Sequence, residues 1–154
     1  MTVVADASPL IALAQVGHLP LLERLFGEIV APPAVVREVG LPLPGFISER
    51  KLSQPIPAAV LRASLGPGES EAISLALELG ADRVILDERA ARRLAISLGL
   101  AIIGVLGILL VAKQKGLIPA VRPTLDALVT NRFRITPDLH QWLLTETEEA
   151  EHQQ

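Results

Sequence analysis

Short apolar runs alternate along this chain with stretches whose apolar positions recur at helical spacing. Thr2 to Ala5 reads as a strand. Ser8-Pro9 then reads as the start of a helix, with Ser8 as its N-cap and Gly17 as its stop after about Val16. Pro20 to Phe26 predicts a second helix and Ile29-Val30-Ala31 a short strand. Pro32-Pro33 opens a helix carrying Val35, Val36 and Val39, closed by Gly40. Between Leu41 and Gly68 the prolines Pro42, Pro44, Pro55, Pro57 and Pro67 predict loops around one short helix near Ala58 to Ala63. Beyond them the pattern predicts a helix over Glu69 to Leu79, a strand over Arg83 to Leu86 and a helix over Glu88 to Leu98. A strand over Leu100 to Ile103, a helix over Val105 to Lys115, and two final helices over Pro123 to Val129 and Pro137 to about Glu148 complete it. Strands separated by helices of this length require crossovers, and crossovers require a parallel sheet.

Composition fits such a sheet. Half of the 154 residues are hydrophobic, yet Phe26, Phe46, Phe133 and Trp142 are the only aromatics, so the core is aliphatic. There is no cysteine, which excludes disulfides, thiolate metal sites and a cysteine nucleophile, and suits a reducing cytoplasm. Net charge is −3, with Glu146, Glu148, Glu149 and Glu151 clustered near the end. With these set aside, 14 basic side chains face 13 acidic ones, so the body is close to neutral and lacks the footprint of tight binding to nucleic acid by charge alone. One domain over residues 1–145 and an acidic tail over 146–154 are expected.

No basic segment precedes the first apolar run, so a signal peptide is not expected. The uncharged stretch from Leu94 to Ala112 approaches the length of a membrane span. Gly99, Gly104 and Gly107 interrupt it, and it reads better as helix end, short strand and turn, with no membrane association.

Two acids share one structural position: Asp6 follows Val3-Val4-Ala5 and Asp87 follows Val84-Ile85-Leu86. Each should end a parallel strand, and open parallel sheets bind ligands outside those ends. Either acid alone could be a helix-capping residue. Glu38 sits in the last turn before Gly40, where the helix dipole opposes it, unless it pairs with Arg37 or Arg24. Glu69 and Glu71 follow Gly66-Pro67-Gly68 in a first turn where acids are welcome in any case. Carboxylates gathered at one sheet edge repel unless cations neutralise them. With no cysteine and no pair of nearby histidines, the donors are hard oxygens, which select Mg²⁺ or Mn²⁺. Such ions bridge to phosphates and assist hydrolysis of a phosphodiester.

The order of DASPLIAL, VVREVG, GPGESEAISLALELGAD, VILDERAARRLA and GVLGILLVAKQKGLI resembles the PIN-domain superfamily, and within it a group related to the VapC-type ribonuclease toxins. The resemblance implies a three-layer α/β/α fold with a central, mostly parallel sheet, in which four acids bind Mg²⁺ or Mn²⁺ and cleave single-stranded RNA. By position Asp6, Glu38, Glu69 and Asp87 match those metal-binding catalytic acids. Ser8 matches a hydroxyl that steadies the first acid, and Glu71 and Glu88 are possible additional acids. The resemblance further implies an RNA substrate, a small antitoxin protein as partner and a homodimer. Where the family usually has Asp and Thr this chain has Glu69 and Ile85, departures that favour an alternative, a catalytically degraded RNA- or protein-binding module.

Arg89, Arg92 and Arg93 follow Asp87 at helical spacing and can position RNA phosphates, or else pair with acids such as Glu88. The apolar helix from Val105 to Ala112 suits a central or subunit-interface position. The Asp-x-Ser of residues 6–8 also loosely resembles a phosphoryl-transfer loop with an aspartate nucleophile. That chemistry needs a lysine late in the fold, and Lys113 and Lys115 lie on a helix.

Overall fold

The computed structural model describes residues 1–150. Its strands are β1 (Val3–Ala5), β2 (Ile29–Ala31), β3 (Ile47–Glu49), β4 (Arg83–Ile85) and β5 (Ile102–Ile103). The helices are α1 (Ala7–Gln15), α2 (Pro20–Phe26), α3 (Pro33–Val39), α4 (Ala58–Arg62), α5 (Pro67–Leu79), α6 (Arg89–Ser97), α7 (Val105–Gln114), α8 (Arg122–Thr130) and α9 (Pro137–Glu146). The five strands form one sheet in the order β3-β2-β1-β4-β5, every neighbouring pair parallel. Helices flank it in a three-layer α/β/α arrangement, so the sheet expected to be mostly parallel is wholly so.

Parallel strands covered on both faces must be apolar throughout, and β1 is buried at every residue. Leu10, Leu13, Leu22, Ile73, Leu75, Ile108 and Leu109 fill the space between sheet and helices with less than 2% of their surface exposed. Each such side chain contributes roughly 1.5–3 kcal/mol by leaving water.

Two expectations need correction. The stretch from Leu41 to Gly68 contains a strand, β3, besides the expected short helix. It is an edge strand paired on one side only, with just Ile47 buried, so no apolar run announces it. Ser8 is not the N-cap of α1. The chain passes from β1 straight into the helix, Asp6 takes the N-cap position, and Ser8 lies one residue inside the helix, exposed to solvent. The apolar surface of α7, for which a central position was one expectation, is largely covered within the chain: Val105, Ile108, Leu109 and Ala112 are buried, and Leu106 and Leu110 pack partly on the core.

The uncharged stretch from Leu94 to Ala112 divides into the end of α6, β5 and the first part of α7, and no helix among the described residues is long and apolar enough to cross a membrane. The acidic segment begins inside α9 and continues as packed chain. Thr147 is buried, and the Glu149 carboxylate accepts the amides of Val121 and Arg122 and pairs with Lys113 at 3.0 Å. Burial raises the Glu149 carboxyl, but the Arg122 and Val121 amides with Lys113 outweigh that and hold it at about 2. Lys113 is thereby committed to Thr147 O and Glu149, and so is not free to serve the phosphoryl-transfer reading. Residues 151–154 of the expected tail, including Glu151, lie outside the described residues.

Candidate functional site

From β1 the chain winds outward through β2 to β3, then returns past β1 and winds the other way through β4 to β5. The order therefore reverses between β1 and β4, where loops leaving adjacent strands diverge and open a crevice at the carboxyl edge. The register Val3 to Arg83, Val4 to Val84 and Ala5 to Ile85 carries the two strands to that edge together, and the Asp6 amide extends the ladder by donating to Ile85 O at 3.0 Å. Asp6 and Asp87 thus emerge side by side at the reversal.

Asp6 is 1% exposed, and its Oδ1 has no hydrogen-bond partner among the described residues. Burial raises its carboxyl, the Ala7 amide works against this, and the charges of Glu69, Glu38 and Asp87 raise it further, to about 7. Asp87 is half-buried. Its Oδ1 accepts from the Val105 amide at 3.1 Å, at the N-terminus of α7, while its buried Oδ2 has no partner. Burial raises the Asp87 carboxyl, opposed by the Val105 amide and the Arg92 guanidinium.

The helices that bring in the other acids are clasped together by them. Glu38, at the end of α3, accepts from the Gly68 amide in the first turn of α5 at 3.0 Å. Glu71, in α5, accepts from the Ala34 amide in the first turn of α3 at 3.2 Å. Each helix thereby caps the other, supplying acceptors to amides that have none within their own helix. This explains a glutamate near a helix end where the dipole disfavours it, and no ion pair with Arg37 or Arg24 is needed. Gly68 permits the approach, since a Cβ there would stand 2.6 Å from Glu38 Oε1.

Glu71 is therefore occupied at α3. Glu69 instead folds back over Gly66, where a Cβ would stand 2.6 Å from its Oε2, and its charge is felt at Asp6. Glu88 is the N-cap of α6, its Oε2 accepting from the Ala91 amide at 2.8 Å. It makes no ion pair with Arg92, whose Nη1 instead donates to Leu86 O at 2.9 Å. Ser8 is exposed, and its hydroxyl has no partner among the described residues.

Sequence reasoning overlooked Gly104. A Cβ at this position would stand 2.5 Å from Asp87 Oδ1 and 2.8 Å from Arg92 Nη1. The absent side chain is what lets the carboxylate reach the α7 N-terminus with the guanidinium beside it. Its signal was available: a glycine between a short strand and a helix, at the ligand-binding edge of a parallel sheet.

No group of three acid or histidine side chains among the described residues closes into a shell that would hold an ion alone. The donor set still fits a small hard cation. Mg²⁺ commonly takes one or two carboxylates and completes its coordination with water and phosphate. Two buried oxygens without partners, with two further acids near enough to raise Asp6, are such a donor set.

A wholly parallel, doubly wound sheet with unpartnered carboxylates at its reversal point defines an α/β protein with an acidic edge at that point. The family follows from comparison of the sequence: the family model DUF3368, a PIN domain, matches residues 2–149, and the chain belongs to this PIN-domain family. PIN domains are nuclease-type folds, generally hydrolases, that typically use divalent metals. No curated protein and no solved structure matches the chain.

Proposed function

We propose that this protein is a Mg²⁺- or Mn²⁺-dependent endoribonuclease that hydrolyses phosphodiester bonds of single-stranded RNA, in the manner of the VapC-type toxins it resembles. One observation carries the reading: Asp6 Oδ1 and Asp87 Oδ2, buried and without partners, emerge from adjacent strands at the point where the sheet order reverses. A buried carboxylate oxygen with no donor is costly, and a cation with its waters removes that cost.

Asp6 and Asp87 would hold the metal, with Glu38 and Glu69 adding negative charge around it. When bound, such an ion lowers the pKa of an attacking water and stabilises charge on the phosphate. The protein's own part is to fix the donors. The Val105 amide holds one oxygen of Asp87 and leaves the other buried without a partner, and Arg92 beside it favours the ionised form. The oxygen of water would add to phosphorus as the bond to a ribose oxygen breaks, the water giving a proton to solvent and the departing ribose oxygen taking one up to leave as a hydroxyl. Toxin activity, a small antitoxin partner and a homodimer belong to this reading through the same resemblance.

The test is cleavage of a labelled single-stranded RNA with Mn²⁺ or Mg²⁺ by the wild type, Asp6→Asn and Asp87→Asn. Metal-dependent cleavage by the wild type and a loss of at least about a hundredfold in each variant are expected. Activity that survives both substitutions refutes the reading. Metal binding without turnover on any RNA would instead indicate the binding module.

A further inference from the structure

Beside Asp87 a pocket of about 270 Å³ is lined by Asp87, Arg89, Arg92, Arg93 and Ile96. We propose that it is the subsite for the nucleotide adjoining the scissile phosphate, with Arg89 and Arg93 on a backbone phosphate and Ile96 against an unstacked base. The proposal deepens the nuclease reading and rests on it for where the strand leads.

Arg89, Arg92, Arg93 and Ile96 are spaced i, i+3, i+4 and i+7 and so share one face of α6, while Ala91 and Ala95 bury the other. Folding alone would not choose this arrangement. Arg89 and Arg92 stand in the first turn, where the helix dipole disfavours cations, and Arg89 and Arg93 repel each other one turn apart. No ion pair among the described residues relieves Arg89 or Arg93. A phosphate would, because two guanidinium forks match its oxygens.

The three arginines divide the work. Arg92 is half-buried and turned inward, committed to Leu86 O and Asp87, so it is a positioning residue for that carboxylate. Arg89 and Arg93 are exposed and free to meet a ligand. Ile96, one turn beyond, is 60% exposed although it is a large aliphatic group on an otherwise charged face. A base laid on it would bury that surface and must first leave its stack, which single strands allow at little cost and duplexes resist. The volume falls just under the roughly 300–1,000 Å³ of ordinary small-molecule pockets, which suits one nucleotide unit.

The test is fluorescence anisotropy of a labelled single-stranded RNA octamer binding the full chain in EDTA, so that cleavage does not intervene, across a series of salt concentrations. Arg89→Ala and Arg93→Ala should each weaken binding three- to tenfold at low salt and lower the slope of log K against log salt by about 0.7 for each phosphate no longer neutralised. Ile96→Ala should weaken binding without changing the slope, and none of the three should alter Mn²⁺ affinity. Wild-type affinity and slope in both arginine variants would overturn the proposal, as would equally tight binding of a duplex of the same sequence. If the wild type cleaves no RNA while binding still depends on these arginines, the nuclease reading fails and the subsite stands. If cleavage is normal and the arginine variants bind like the wild type, the subsite fails alone.

Discussion

Asp6→Asn should make the metal-free protein less sensitive to alkali while abolishing its metal response. The Asp6 carboxyl titrates at about 7 in the fold against an ordinary 3.8, chiefly because it is buried. An acid raised in the folded state leaves stability untouched below pH 3.8, lowers it progressively between 3.8 and 7, and imposes its full cost above 7. At about 1.4 kcal/mol per unit that full cost is about 4 kcal/mol, of which about 2 is already present at pH 5. From this group alone the wild type should lose about 2–3 kcal/mol between pH 5 and pH 8. The Asn amide keeps the volume and brings its own unpaired donors, a burden of roughly 1–3 kcal/mol that does not vary with pH. The difference between the two pH dependences therefore isolates the carboxylate. Urea unfolding of both proteins after EDTA dialysis, at pH 5, 6.5 and 8, measures it. Mn²⁺ at a hundred times its dissociation constant should then restore about 2.7 kcal/mol to the wild type at pH 8 and nothing to the variant. Parallel pH dependences would mean that Asp6 is solvated or paired, and would refute the case for a cation-ready crevice.

Two further outcomes test how the site is built. Gly104→Ala is conformationally acceptable at φ −102, but its methyl would displace Asp87 or Arg92, so kcat/KM on RNA should fall about a hundredfold; wild-type turnover would show that Asp87 needs no such fixing. Glu71→Ala should cost about 1–2 kcal/mol in chemical denaturation through the lost clasp on α3, whereas Glu69→Ala should change stability by no more than about 0.5 kcal/mol and remove metal-dependent cleavage. The opposite pattern would exchange their roles.

Much of the fold was legible in the chain because it is written locally. Prolines at helix starts, glycines after helix ends and short β-branched runs place most of the helices and four of the five strands within a residue or two, and the helix between successive strands makes the sheet parallel. The addresses of Asp6 and Asp87 follow from the same rule, since each is the first polar residue after such a run. The edge strand β3 escaped because a strand paired on one side needs almost no apolar signature.

What the acids do was decided only in three dimensions. Glu69 and Glu71 are nearly equivalent along the sequence. They differ because α3 packs on α5, so that a carboxylate 37 residues from Ala34 finishes that helix and leaves the other acid to Asp6. Glu38 is likewise joined to an amide 30 residues away. The missing partners of Asp6 and Asp87, the fit of Gly104 beneath Asp87 and the inward turn of Arg92 all depend on backbone from distant segments meeting at the sheet edge. Local sequence could fix where the carboxylates stand, but whether they are solvated, capped or left unpaired is a property of packing, and packing sets the charge the site can hold.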